Sequence, residues 1–281
     1  MPSPELTVLT LTLNEAGSLK TFFERVQPAV ASLVADYELL VIDGGSADGT
    51  VDIAKSCGAR VVIQSRPGYA NGYREGLEIA SGRYILTMDS DFAQIVPEFR
   101  DLCDVIAAGH DGAIGSRFSH ESILINYPFF KIICNRGFHA LVNLLLPGRV
   151  RDVSNNLKLY RAEILKNLDI EEHHFAANAE TGLKPLLSGY DIREVPISWI
   201  NRTTEMGSSS FRLLKIAPDY FAALLRTIWN TWRGRRGFVT NRDKVGDAKS
   251  TKGKGPSLEW SDERPNLSCS KAACLAEKDS R

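Results

Sequence analysis

No run in this sequence approaches the roughly 20 consecutive apolar residues that a bilayer-spanning helix needs, so no spanning helix is expected. Cysteine is scarce. Cys57, Cys103, Cys134, Cys269 and Cys274 are odd in number and include no CxxC pair, which excludes a disulfide framework or a zinc ribbon and reads as a reduced setting. Neither sign of charge is in excess: 34 basic residues balance 34 acidic ones. The usual electrostatic case for nucleic-acid binding is therefore missing, and no nucleic-acid partner is expected. The opening segment MPSPELTVLTLTLNEAG has no basic stretch ahead of its apolar run and does not read as a secretion signal. Together these point to a cytoplasmic protein or one lying on the cytoplasmic face of a membrane.

What the sequence does have is a core. At 43% hydrophobic residues, wholesale disorder is excluded, and the first part alternates short apolar runs with helical periodicity. Leu6–Leu13, Glu38–Ile42, Arg60–Gln64 and Tyr84–Met88 read as strands. Between them, about Gly17–Val34, Asp48–Cys57 and Asn71–Ser81 read as helices, with Pro28 a potential kink. This βαβαβαβ order implies an α/β fold, a parallel sheet with helices on both faces. Beyond it, Ser122–Leu146 reads as one or two amphipathic helices, Val153–Tyr160 and Ile192–Ile200 as strands, and about Ala177–Ser188 as a helix.

Ligands of such sheets sit outside the carboxyl ends of the strands. There this chain places Asn14-Glu15 after the first strand, Asp43-Gly44-Gly45-Ser46 after the second and Asp89-Ser90-Asp91 after the fourth. No GxxxxGK[ST] or GxGxxG loop follows the first strand, so the ligand is not held as P-loop or dinucleotide folds hold theirs. Two carboxylates two residues apart beyond a buried strand suit magnesium or manganese, hard cations that share oxygen ligands with substrate phosphates.

Six segments, VIDGGSADGT (41–50), GYANGYREG (68–76), YILTMDSD (84–91), GSRF (115–118), NLKLYRAEIL (156–165) and REVPISWINR (193–202), resemble family 2 glycosyltransferases. Within that family the chain is most similar to the dolichol- and polyprenyl-phosphate sugar synthases, dolichol-phosphate mannosyltransferase among them. The resemblance spans about residues 6–235. It implies a glycosyltransferase-A fold, a Rossmann-like, mostly parallel sheet, with a nucleotide-sugar donor and a divalent cation, magnesium or manganese. It sets Thr12, Glu15 and Asp43 at the nucleotide, and Asp89 and Asp91 at the metal and diphosphate, with Gln94 as a further metal ligand. Among the arginines, Arg117 and Arg136 fall on the acceptor side, and Arg202 faces phosphate; Asp91, Arg117 and Arg202 are the catalytic set. The departures are local. Leu11-Thr12-Leu13-Asn14-Glu15 stands for PTYNE, Asp43-Gly44-Gly45-Ser46 for DDGS, Ala93 where Gln is usual, and Asn155-Asn156-Leu157 for SGF. Guanine and uracil both stay open as the donor base.

The segment Phe211–Val239 combines six basic residues with one acidic residue and an apolar face that includes Trp229 and Trp232. Basic and aromatic residues on one helix read as membrane-surface binding; packing on its own domain is the alternative. From Thr240 the chain loses periodicity and reads as a disordered tail. The expected division is a catalytic domain over 1–205, a basic amphipathic helix over 206–239 and a tail over 240–281. The expected reaction is metal-dependent, inverting transfer of one sugar to a dolichyl or polyprenyl phosphate at the membrane surface. Mannose from GDP-mannose is favoured over UDP-glucose on resemblance, and a membrane-anchoring partner subunit is allowed. Three alternatives remain: a saccharide acceptor, with Asp91 or Glu180 as base; a catalytically silent nucleotide-sugar-binding subunit; and nucleotidyl transfer.

Overall fold

The computed structural model describes residues 3–90, 92, 99–145, 150–200 and 213–232. Seven strands form one sheet in the order β3-β2-β1-β4-β7-β5-β8. These are β1 (Leu6–Thr12), β2 (Tyr37–Asp43), β3 (Arg60–Ile63), β4 (Tyr84–Thr87), β5 (Gly112–Ser116), β7 (Lys158–Arg161) and β8 (Ile192–Pro196). All neighbours are parallel except around β7, which runs antiparallel to both β4 and β5. Helices α1 (Ala16–Ala31), α2 (Thr50–Ser56), α3 (Tyr69–Ile79), α4 (Phe99–Ala107), α6 (Ala162–Lys166) and α7 (Ala177–Leu187) lie along the chain between these strands.

The inner strands β1, β4, β5 and β7 are buried almost throughout because both faces are covered. The sheet's side chains still divide with the two-residue period of a strand. Val8, Val41, Leu86 and Leu159 join Phe22, Phe23 and Leu102 on one face. Leu9, Leu40, Ile42, Ile85, Ile114 and Tyr160 join Tyr73 and Leu77 on the other. Burying a large aliphatic or aromatic side chain contributes about 1.5–3 kcal/mol, so the two layers are the main source of cohesion.

Strand order locates the site. From β1 the chain moves out to β2 and β3, then returns to place β4 on the opposite side of β1. The crevice between β1 and β4 is the point where the winding reverses, and doubly wound sheets bind ligands at such points. Thr12 and Asp89 stand on either side of it.

Three expected elements differ. Only Lys158–Arg161 of the anticipated strand 153–160 pairs with the sheet. Upstream, the side chain of Asn155 donates to the Gly115 carbonyl at 2.6 Å, a side-chain substitute for a ladder bond. The anticipated strand 192–200 breaks after Pro196, which has no N–H to give; Trp199–Ile200 forms β9, paired in a separate two-stranded sheet with β6 (Leu124–Ile125). The apolar segment 122–146 becomes β6 and then one helix, α5 (Phe129–Leu145), begun after Pro128. The last described helix, α8 (Leu213–Trp232), packs Leu224 and Ile228 against Val142, Val153 and Leu183. Among the described residues, no helix is long and apolar enough to cross a membrane.

Candidate active site

The loops after β1 and β2 are stapled to each other. Asn14, at a φ of 55° that asparagine tolerates better than most residues, donates its backbone N–H to Ser46 Oγ at 2.8 Å. It accepts the Ala47 N–H on Oδ1 at 3.0 Å. Asp48 accepts from the Ala16 N–H, and Glu15 donates its N–H to Thr50 Oγ1 at 2.8 Å. The Thr50 hydroxyl in turn donates to Asp48, which holds that carboxyl below its ordinary range.

Asp43 organises this rim from beneath. It is 0% exposed and its two oxygens accept from Thr12 Oγ1, the N–H groups of Gly45 and Ser46, and Ser46 Oγ at 2.7–2.9 Å. Thr12 and Asp43 are thus brought together but are committed to each other and to the loop. Glu15, half-buried at the start of α1, accepts from Ser18 Oγ at 2.8 Å. Of the acidic groups expected at the rim, Glu15 and Asp89 are the partly exposed ones in the described residues.

Asp89 follows β4 and accepts from Asn156 Nδ2 at 2.8 Å. Asn156 lies in the turn that leads into β7, and the Thr87 hydroxyl donates to its carbonyl at 2.6 Å. Its Oδ1 is buried with no hydrogen-bond partner among the described residues. Two positions on, Lys158 is 0% exposed and donates to the carbonyls of Asn155 and, at 3.0 Å, Asn178. Burial pulls its ammonium down to about 7, while Asp152 and Asp89 act to raise it. Beside it, the Tyr69 hydroxyl donates to Asn178 Oδ1 at 3.0 Å, and burial raises Tyr69 well above an ordinary phenol.

The arginines on the expected acceptor side form a second cluster. Arg117, just after β5, makes a two-pronged pair with Asp152, Nε to Oδ2 at 2.7 Å and Nη2 to Oδ1 at 2.9 Å, and also donates its backbone N–H. Its side chain is 14% exposed and that of Asp152 0%. Burial alone would raise the Asp152 carboxyl, but the adjacent guanidinium brings it to about 2. Most of Arg117's charge is thereby spent within the protein. Arg136, on α5, lies 4.3 Å over the Phe118 ring and donates to Asn135 Oδ1 and the Arg151 carbonyl. Its Nε is buried without a partner among the described residues, and burial lowers its pKa. Behind it His139 bridges the Asn135 carbonyl and the Val153 N–H, and burial keeps it toward the neutral form.

Lys158 and Tyr220 of α8 each feel both Asp89 and Asp152, so the acidic rim and the arginine cluster belong to one region. The sequence reading weighed neither Asp152 nor Lys158. A lysine inside an apolar run announced the latter, but its meaning depended on placing β7 within the sheet. Glu180 is buried, accepts the N–H groups of Glu171 and Glu172, and pairs with Lys184 at 2.5 Å; such a carboxylate is a structural clamp. Asp91, Gln94 and Arg202 lie outside the described residues.

No group of three or more His, Cys, Asp or Glu side chains among the described residues is close enough to hold a metal by itself. One protein carboxylate at the rim suits magnesium or manganese nonetheless, because these ions keep waters and phosphate oxygens in most positions. The Asn156 amide nitrogen fixes the Asp89 carboxylate through one oxygen.

The profile of Glycosyl transferase family 2 matches residues 7–169, from the first residues of β1 past β7 and α6. The chain is 26% identical to the polyprenol monophosphomannose synthase of Mycolicibacterium smegmatis over 77% of its own length and 87% of the relative's. It is 28% identical to a dolichyl-phosphate hexose transferase of Haloferax volcanii, over 72% and 85%. Among solved structures, glucosyl-3-phosphoglycerate synthase of Mycobacterium tuberculosis superposes with a TM-score of 0.62 at 20% identity, covering 80% of this chain and 81% of that one. The same enzyme in complex with Mn2+, UDP and glucosyl-3-phosphoglycerate gives a TM-score of 0.60 at 19% identity, covering 80% of each chain. With a family match over more than half its length, and the β1/β4 crevice carrying the acidic rim, the chain belongs to glycosyltransferase family 2.

Proposed function

We propose that this glycosyltransferase moves one sugar from a nucleotide-sugar donor to a polyprenyl or dolichyl phosphate at a membrane surface, with inversion. The observation that carries the reading is the half-buried Asp89, oriented by Asn156 at the winding reversal of the sheet, in a chain similar to two enzymes named for polyprenol- or dolichyl-phosphate substrates. Mannose from GDP-mannose remains the favoured donor by resemblance.

Glu15 and the stapled loops after β1 and β2 would receive the nucleotide. Asp89 and Asp91 would hold a divalent cation, with Gln94 as a further oxygen ligand. When bound, that cation supplies positive charge for the departing diphosphate. A phosphate oxygen of the acceptor attacks the anomeric carbon as the bond to the diphosphate breaks, leaving a nucleoside diphosphate and a glycosyl phosphodiester. A phosphate monoester has a second pKa near 6 and is largely dianionic at neutral pH, so no protein base has to take a proton. The full commitment of Glu180 to Glu171, Glu172 and Lys184 supports that choice over a hydroxyl acceptor. Arg136 offsets acceptor charge, a role that Arg202 is proposed to share; Arg117, already paired to Asp152, holds the framework in which Arg136 sits.

The outer face of α8 supports the surface location. Phe221, Leu225 and Trp229, one turn apart, are about half exposed, and α5 adds Phe129, Phe130 and Ile133. The basic residues Arg233, Arg235 and Arg236 follow in sequence, outside the described residues. Screening nucleotide sugars against a short polyprenyl phosphate, with mass-spectrometric detection, tests the reading. A hexose added to the lipid phosphate is the expected product; transfer only to saccharides would refute it.

A further inference from the structure

Lys158 is a buried amine in a place where an apolar residue would serve the sheet. It lies in β7 opposite Thr87 on one side and Ile114 on the other, and no carboxylate among the described residues pairs with it directly. Burying a charge costs several kcal/mol unless its environment compensates. Here the compensation is two backbone carbonyls, each in a segment that touches the candidate site. The Asn155 carbonyl belongs to the turn that presents Asn156 to Asp89. The Asn178 carbonyl belongs to the first turn of α7, whose Asn178 side chain receives the Tyr69 hydroxyl from the start of α3.

We propose that Lys158 is a positioning residue: by tying the 155–156 turn to α7, it fixes Asn156 and, through it, the Asp89 carboxylate in the orientation used by metal and diphosphate. The turn has few other restraints. Asn155 Nδ2 reaches Gly115, and Thr87 reaches the Asn156 carbonyl; the lysine ties the turn to α7. Without it, Asn156 can swing with the turn, and Asp89 loses the Asn156 amide that orients it. Misplacement of a binding group by about 1 Å is enough to cost two orders of magnitude in a preorganised site.

The inference rests on Asp89 acting at the metal and diphosphate, and the experiment separates the two. GDP and UDP are each titrated into the purified full chain by calorimetry with and without Mn2+, and the tighter nucleotide is carried forward. In wild type, Mn2+ strengthens binding. Asp89→Asn should abolish that enhancement. Lys158→Met should reduce it at least tenfold while metal-free affinity stays within twofold, a split that general loss of structure would not produce. Added to Asp89→Asn, Lys158→Met should have no further effect on it. Should Lys158→Met fail to fold, Asn156→Ala, which removes the last link alone, should show the same loss. Enhancement retained within twofold in the folded Lys158→Met, or in Asn156→Ala, overturns the inference while Asp89 keeps its role. Enhancement retained in Asp89→Asn, or absent from the wild type with both nucleotides, overturns the functional reading and the inference with it.

Discussion

Arg117 and Arg136 share the Phe118 ring, yet their surroundings assign them different work. Arg117 is matched oxygen for nitrogen by Asp152, whereas Arg136 keeps a buried Nε with no partner among the described residues. Guanidinium–phosphate bonds are strong when charge-assisted, so Arg136→Ala should raise the KM for a phosphorylated acceptor at least tenfold, with the donor KM within threefold; steady-state kinetics check this. Asp152→Asn should act on stability instead, by about 3–5 kcal/mol at neutral pH, the scale for breaking a buried ion pair. Because the folded carboxyl titrates at about 2 against an ordinary 3.8, its contribution is present above pH 4 and lost as pH falls from about 4 to about 2. That titrating part is about 2 kcal/mol, at ~1.4 kcal/mol per pH unit. Urea unfolding of both proteins should show the gap narrowing in that window. A gap independent of pH would mean that Asp152 is not held by Arg117's charge. The Arg117–Asp152 pair was not legible in the sequence, since GSRF and RDVSNN place its members 35 residues apart and nothing local joins them.

At the scale of elements, β1, β2 and β4 were legible because burial on both faces favours apolar runs bounded by glycine and acidic turns, and the partly exposed edge strand β3 was legible from its Val61-Val62-Ile63 run. Strands β7, β8 and β9 were misjudged in extent for local reasons, Asn155 capturing a carbonyl and Pro196 ending a ladder. Helix α4 and strand β5 went unassigned, although GSRF marked the strand's end. Packing between elements was not legible at all. Gly182 of α7 approaches the Val153 backbone so closely that a methyl group there would lie 2.2 Å from the Val153 oxygen. Gly182→Ala should destabilise by at least ~2 kcal/mol, the range for overpacked cores, which thermal unfolding measures; an unchanged midpoint would mean the helix can slide. For α8, Leu224 and Ile228 pack inward as the packing alternative requires, whereas Phe221, Leu225 and Trp229 are about half exposed and carry the proposed membrane contact. Replacing those three with Gln should weaken binding to anionic vesicles at least tenfold, given about 1.5–3 kcal/mol per large side chain on full burial. Unchanged co-sedimentation would remove α8 from the membrane contact.

For the whole molecule, the sheet order matters more than any single motif. Placing β4 on the far side of β1 brings residues 12–15, 43–50 and 89 to one edge, and the antiparallel β7 between β4 and β5 sets the turn at Asn156 between the donor rim and the arginine cluster. In the proposed reaction, a nucleoside diphosphate and a second phosphorylated molecule would approach each other over a buried network that includes Lys158, Asp152 and Arg117. Two anions drawn together at an effective dielectric near 20 repel by about 4 kcal/mol per charge pair at 4 Å, which explains the need for cations on both sides. The most direct measurement compares turnover of a nucleotide-sugar donor with polyprenyl phosphate and with the corresponding phosphate-free polyprenol, in Mn2+ and in excess chelator. One hexose added to the polyprenyl phosphate alone, with turnover falling at least ~100-fold in chelator, is the predicted result. Equal transfer to the phosphate-free alcohol, or full turnover in chelator, would contradict it.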